Sequence, residues 1–305
     1  MINSVKPNLI VSDSRGAWFR ATILFILALI GTVGMWSVVV FIPDIEKEFG
    51  LDRGTSSLLY AFTMIGFGFG TVVIGKVYDK FGIKKPILLA TFVLITSYYF
   101  YSIFPFYWQF LILQFFMGFA ASAFFGPAMA DISNFFNKQR GFALSIVASA
   151  NYVAGATWPL LIGYFLTFID WRAAHFWISI CLFIMIPLIL LLKNASVDES
   201  KSHDMKQRYK DIRLDLSNNQ IQVLLMLAGI CCCVAMAMPQ VHMVALCVDN
   251  GFGLQVGTEI LAVMLYSGMI SRIVFGMISD RIGPVLTLLL GSFLQMVSLT
   301  FFLPF

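Results

Sequence analysis

Of the 305 residues, 59% are hydrophobic and only 12% charged, and the mean hydropathy of +0.87 is far above what a water-soluble domain can bury. The charges sit in short clusters between long uncharged windows, the pattern that a bilayer imposes. The net charge of +4 and the pI near 8.8 fit loops facing anionic lipid and give no support to a nucleic-acid partner.

About 20 apolar residues, at about 1.5 Å each, cross a hydrocarbon core of about 30 Å. The windows Ala21 to Pro43, Thr55 to Gly75, Gly141 to Ile169, Ala173 to Leu192, Leu216 to Val248 and Ile282 to Phe305 contain no Asp, Glu, Lys or Arg, and each supplies one membrane helix. The first is too long for a secretory signal and runs into Pro43-Asp44-Ile45-Glu46 without a small-residue cleavage site. The uncharged window from Pro86 to Ala130 is too long for one crossing. Pro105, amid Phe104, Phe106, Tyr107 and Trp108, marks an interfacial turn that divides it into two helices. Ile260 to Ser279 adds a span with Arg272 inside it, so the sequence predicts an all-α polytopic protein of nine membrane helices.

With the first loop outside, sixteen Lys and Arg face one side and only Lys47, Arg53 and Arg172 the other, which predicts a cytoplasmic N-terminus in an inner or plasma membrane. Five cysteines, Cys181, Cys231, Cys232, Cys233 and Cys247, have no metal-site spacing. Three in a row point about 100° apart on a helix and read as small apolar filler, and no metal or cofactor is expected.

The stretch Gly75-Lys76-Val77-Tyr78-Asp79-Lys80-Phe81-Gly82 returns in degenerate form as Gly276-Met277-Ile278-Ser279-Asp280-Arg281-Ile282-Gly283, 201 positions later. A repeat of this kind implies two parallel six-helix halves. The predicted organisation is a six-helix bundle over 1–192, a polar cytoplasmic linker over 193–219 and three helices of a second bundle over 220–305. Helices ten to twelve of such a pair are expected beyond Phe305, so the chain reads as part of a longer carrier.

Gly75 to Pro86 resembles the signature loop between helices two and three of the major facilitator superfamily. There Gly75 and Gly82 would allow close backbone approach, and Asp79 would sit against a helix N-terminus or an Arg. The second copy, Gly276, Asp280, Arg281 and Gly283, would complete a conformational gate with Asp79 and Lys80. Asp170-Trp171-Arg172 and Phe136 to Gly141 also recur in that superfamily. Within it, Met238-Pro239-Gln240-Val241-His242-Met243-Val244, followed by Asp249-Asn250-Gly251, is similar to the monocarboxylate-porter and oxalate/formate-antiporter groups, as is an Arg in the eighth helix. The Asp that monocarboxylate porters often carry one turn before that Arg is Gly268 here.

The resemblance implies a secondary carrier, not an enzyme, for a small organic mono- or dicarboxylate, with a proton or counter-anion as a further partner. Its candidate substrate residues are Arg272, Gln240, His242 and Asn151. A non-transporting membrane sensor or assembly subunit on the same fold, or a facilitator of a non-carboxylate solute, is the alternative. Gln114 and Trp158 either line the cavity or bond between helices, and Gly66 and Gly70, with Gly68 between them, form a small-residue packing face. Arg272 either holds an anion or extends toward Asp280, eight residues and about 12 Å along the helix. The charge asymmetry predicts that a cysteine at Ser202 stays unlabelled by an impermeant thiol reagent in intact cells; labelling from outside would reverse the orientation.

Overall fold

The computed structural model describes residues 13–192 and 217–302, so most of the expected linker lies outside the described residues. Span 1 consists of α1 (Arg15–Gly31) and α2 (Val33–Phe49). Span 2 is α3 (Arg53–Phe81) and span 3 is α4 (Lys84–Ile103). Span 4 is α5 (Tyr107–Ala121), a 3₁₀ turn over Ser122–Phe124, and α6 (Gly126–Ser133). Span 5 is α7 (Arg140–Phe165), and span 6 is α8 (Trp171–Cys181) with α9 (Met185–Leu191). Spans 7, 8 and 9 are α10 (Asn218–Asp249), α11 (Gly253–Ile282) and α12 (Pro284–Phe302). Among the described residues eight of these spans are long and apolar enough to cross a membrane. The other, α10, runs 32 residues and includes a shorter apolar segment, Asn219–Cys231.

Local chemistry sets the helix ends. Ser14, Asp52 and Asp170 cap α1, α3 and α8 by accepting the N–H three residues on, and Ser217 and Gln220 form a reciprocal capping box on α10. The Thr55 hydroxyl and N–H, both donating to Asp52, hold that exposed carboxyl below the usual carboxylate range. The non-helical residues Phe104 to Phe106 form the turn expected around Pro105. Pro127, at the start of α6, fits a first helical turn but not the interior of a continuous span 4, hence the 3₁₀ step before it.

The chain alternates between a near end, where the described residues begin, and a far end, which carries the turns after α2, α4, α7 and α10. The core lies in the first six spans: 78% of the most apolar stretch of span 1 is buried, against none of that of span 9. At its centre the Tyr101 ring stacks between Phe110, 4.4 Å away, and His175, 4.3 Å away, while Phe41 covers the other side of the imidazole at 4.1 Å. At the near end Arg20 and Asp131, 4% and 5% exposed, form a two-pronged ion pair from Nε at 2.6 Å and Nη2 at 2.9 Å. Breaking such a buried pair costs about 3–5 kcal/mol, so it pins span 1 to the end of span 4.

The signature stretch requires a correction. Gly75, Asp79 and Lys80 lie inside α3, and Gly276, Asp280 and Arg281 inside α11. The turns themselves are only a residue or two long, centred on Gly82 and Gly283, whose φ of 73° and 88° favour glycine. Gly75 also brings no backbone close, because a Cβ there would meet nothing within 4 Å.

Gly66 and Gly118 do make such an approach. A Cβ on Gly66 would collide with the Phe115 carbonyl, and one on Gly118 with that of Thr63, so spans 2 and 4 meet backbone to backbone. Thr63 and Gln114 add a buried 2.8 Å hydrogen bond across the same contact. Gly68 faces away, with nothing within 4 Å of a Cβ. Gly66→Ala and Gly118→Ala should therefore each lose about 1–3 kcal/mol and melt several degrees lower in detergent. Gly68→Ala should be neutral or gain up to about 1 kcal/mol from helix propensity. Equal melting of Gly66→Ala and Gly68→Ala would contradict this packing.

Candidate functional site

The first six spans meet the last three mainly where α7 lies antiparallel to α11. On α7 the facing residues Gly141, Ser145, Ala148 and Tyr152 recur at four, three and four positions, so they share one helix face. On α11 Gly276, Arg272 and Gly268 answer them at four-residue steps. A Cβ on Gly276 would clash with Ser145, whose Cβ would lie 2.5 Å away, and one on Gly268 would touch the Tyr152 ring at 3.7 Å. Farther along, Thr157 and Tyr266 share a 3.1 Å hydrogen bond, and Gly163 approaches Thr258. From Gly141 to Gly163 this seam is about 33 Å long, the thickness of the bilayer core.

Asp280 closes the near end of the seam. Its two carboxylate oxygens accept the Gly141 N–H at 2.7 Å and the Phe142 N–H at 2.9 Å, in the first turn of α7. Those amides have no partner within their own helix, and the helix dipole favours an anion there. The expected contact of a signature Asp with a helix N-terminus is thus made by the second copy, while Asp79 stands exposed at the end of α3.

Arg272 sits partway along the seam, half-buried, and extends across it. Its Nη1 donates to the Ala148 carbonyl at 2.8 Å and its guanidinium lies 4.1 Å from the Tyr152 ring centroid. It does not extend to Asp280, which α7 already occupies. The stripe of small residues around it is also filled, by Tyr152 and Ser145, and is no open cavity wall. Among the described residues no carboxylate forms an ion pair with Arg272.

The other predicted site residues divide. Asn151 stands beside Tyr152 on α7, where its Oδ1 accepts the Trp36 indole N–H at 3.0 Å, and the Tyr152 hydroxyl donates to Met236 Sδ of α10 at 3.0 Å. Spans 1, 5, 7 and 8 are therefore linked around Arg272. Gln240, half-buried, follows Pro239 on α10, and His242 lines a separate small pocket with Arg53 and Ser57 toward the far end. That pocket shares no residue with the contacts of Arg272. Gln114 is fully buried between spans 2 and 3, bonded to Thr63 and Tyr101, so it packs the bundle. The Trp158 indole donates to Leu29 O at 2.9 Å, just before span 1 breaks at Thr32. Among the described residues no cluster of His, Cys, Asp or Glu could hold a metal ion.

The sequence pattern of the Major Facilitator Superfamily matches residues 24–305. The chain belongs to the Major Facilitator Superfamily. This chain of the superfamily is 27% identical over 221 residues to the MFS-type transporter pynF of Aspergillus niger, a match covering 70% of this chain and 49% of pynF. It is 25% identical to the MFS-type transporter pytF of Aspergillus terreus, over 70% of this chain and 72% of that one. With the agnestins efflux protein AgnL12 of Paecilomyces divaricatus it is 24% identical, over 80% of this chain and 56% of AgnL12. The match thus spans about half the length of pynF and of AgnL12. Superfamily membership and the apolar spans make this an integral membrane protein of a carrier family, not an enzyme family.

Proposed function

We propose that the chain belongs to a secondary carrier that moves a small organic anion, a mono- or dicarboxylate, past Arg272. The observation that supports this reading is a guanidinium between helices, steadied by an aromatic face and one carbonyl, with no acidic partner among the described residues. A cation at membrane depth costs about 2.5–3.5 kcal/mol on insertion scales and is kept where it pairs or serves function. With Nη1 on Ala148, the edge formed by Nη2 and Nε has the fork that fits a carboxylate. In this reading Asn151, beside Tyr152 on α7, and Gln240 and His242, on α10, complete the substrate residues.

In this reading residues 1–192 and 220–305 belong to two groups that rock about the seam, joined by 193–219 on the cytoplasmic side, where the N-terminus also lies. The carrier works in an inner or plasma membrane, with a proton or counter-anion as its coupling partner. The efflux name of AgnL12 favours a second reading, in which the same site exports a solute other than a carboxylate. Met236, Tyr152 and Trp36 would then supply an adaptable apolar wall.

In proteoliposomes Arg272→Gln should reduce carboxylate transport by about 10–100-fold, the equivalent of a charge-assisted hydrogen bond of about 1.5–3 kcal/mol. Arg272→Lys should fall between, because it keeps the charge and loses the fork. Transport by Arg272→Gln at the unsubstituted rate would remove the anion site.

A further inference from the structure

The far end joins the two helix groups by different chemistry from the near end. Arg53, the first residue of α3, places Nε 3.1 Å from Glu46 on α2 and Nη2 3.3 Å from Asp249, the last residue of α10. Glu46 lies on the same side of the interface as Arg53, and Asp249 lies across it. Among the described ion pairs this is the one that joins a residue before position 193 to one after 216. Behind it the two sides meet through Val39, Ile42 and Pro43 against Val241 and Val244, around a space of about 20 Å³, roughly one water.

We propose that Arg53 is the latch of the far-end mouth. Its guanidinium is shared between an acid of its own group and an acid of the opposite group, and the mouth opens when Asp249 lets go.

Three features suit this role. The Arg53 and Asp249 side chains are 41% and 63% exposed, and an ion pair so open to solvent holds weakly enough to break in every cycle. Glu46, only 16% exposed and also bonded by the Ser56 hydroxyl, keeps a carboxylate beside Arg53 after Asp249 leaves, so opening strands no cation. The near end is held instead by two charge-assisted bonds from backbone amides to the exposed Asp280 carboxylate and by the close backbone contact of Gly141 with Gly276, where the far end has, among the described residues, a single ion pair and no such backbone contact. The far mouth is therefore the easier one to open.

The two acids have opposite roles. Asp249 pulls the mouth shut, whereas Glu46 competes with it for one guanidinium. The inference uses the transport reading only to place the latch in a cycle, and its test reads the gap between helix ends and not substrate movement. Spin labels at Leu58→Cys and Phe252→Cys, on a protein whose native cysteines are replaced by alanine or serine, report that gap by pulsed dipolar spectroscopy in nanodiscs. Asp249→Asn and Arg53→Gln should both shift the distance distribution to longer values. Glu46→Gln, which leaves Asp249 alone with Arg53, should shift it to shorter values. About 1 M salt, where the screening length is about 3 Å, should move the unsubstituted protein toward the Asp249→Asn distribution. Both acids are replaced by amides of the same shape, so the fold is preserved while the charge is removed. An unchanged distribution in Asp249→Asn, or the same direction of shift for Asp249→Asn and Glu46→Gln, would overturn the latch.

Discussion

The contact of the Asp280 carboxylate with the first turn of α7 fixes how the last three spans meet the first six. Two amides that a helix cannot satisfy internally find two oxygens of one side chain, and the positive end of the helix dipole finds a negative charge. The contact needs the two backbones to come within side-chain-free distance. A Cβ on Gly141 would lie 2.8 Å from the Gly276 carbonyl, and one on Gly276 would collide with Ser145. Once that register is set, the four-residue step of α11 brings Arg272 opposite Ala148 and Gly268 opposite Tyr152. The position of Arg272 thus follows from an interaction at the membrane end.

The same interface runs from tight to loose. Near Gly276 the helices touch at the level of backbone atoms, toward Gly268 an aromatic ring fills the gap, and at Thr157 and Tyr266 only exposed hydroxyls meet. Such a gradient suits a joint that stays closed at one end while the other loosens, the geometry that rocking carriers require. Within the first group the contacts are of another kind. The buried Arg20–Asp131 pair, the Tyr101–His175 stack and the glycine contact between spans 2 and 4 leave little freedom, so that group is rigid relative to the seam.

Much of this was legible in the sequence because a bilayer allows few solutions. The uncharged windows gave the spans, Pro105 gave the turn between spans 3 and 4, and the repeat of Gly75–Gly82 at Gly276–Gly283 pointed to an Asp at a helix N-terminus. It was the second copy that made this contact among the described residues, and sequence could not choose between the copies because the choice depends on which helix end lies opposite. Helix ends were set too short, since Arg15, Asp44, Lys47 and Asp131 are helical although they carry charge. The Arg20–Asp131 pair was missed, yet a signal existed. Arg20 immediately precedes one uncharged window and Asp131 immediately follows another, and the alternation of spans puts both at the same end. The bond from Asn151 to Trp36 and the Arg272 contact with Ala148 were not readable, because each depends on the rotation of one helix about its axis relative to its neighbour.

Hydrogen exchange at the start of α7 tests the central contact directly. The first amides of a helix ordinarily exchange quickly, since nothing in the helix accepts them. With Asp280 as acceptor, the Gly141 and Phe142 amides should exchange slowly in the unsubstituted protein and quickly in Asp280→Ala, while the first turn of α4, whose cap Ile83 makes no side-chain bond, exchanges quickly in both. Fast exchange at Gly141 and Phe142 before substitution, or slow exchange that survives Asp280→Ala, would contradict the account.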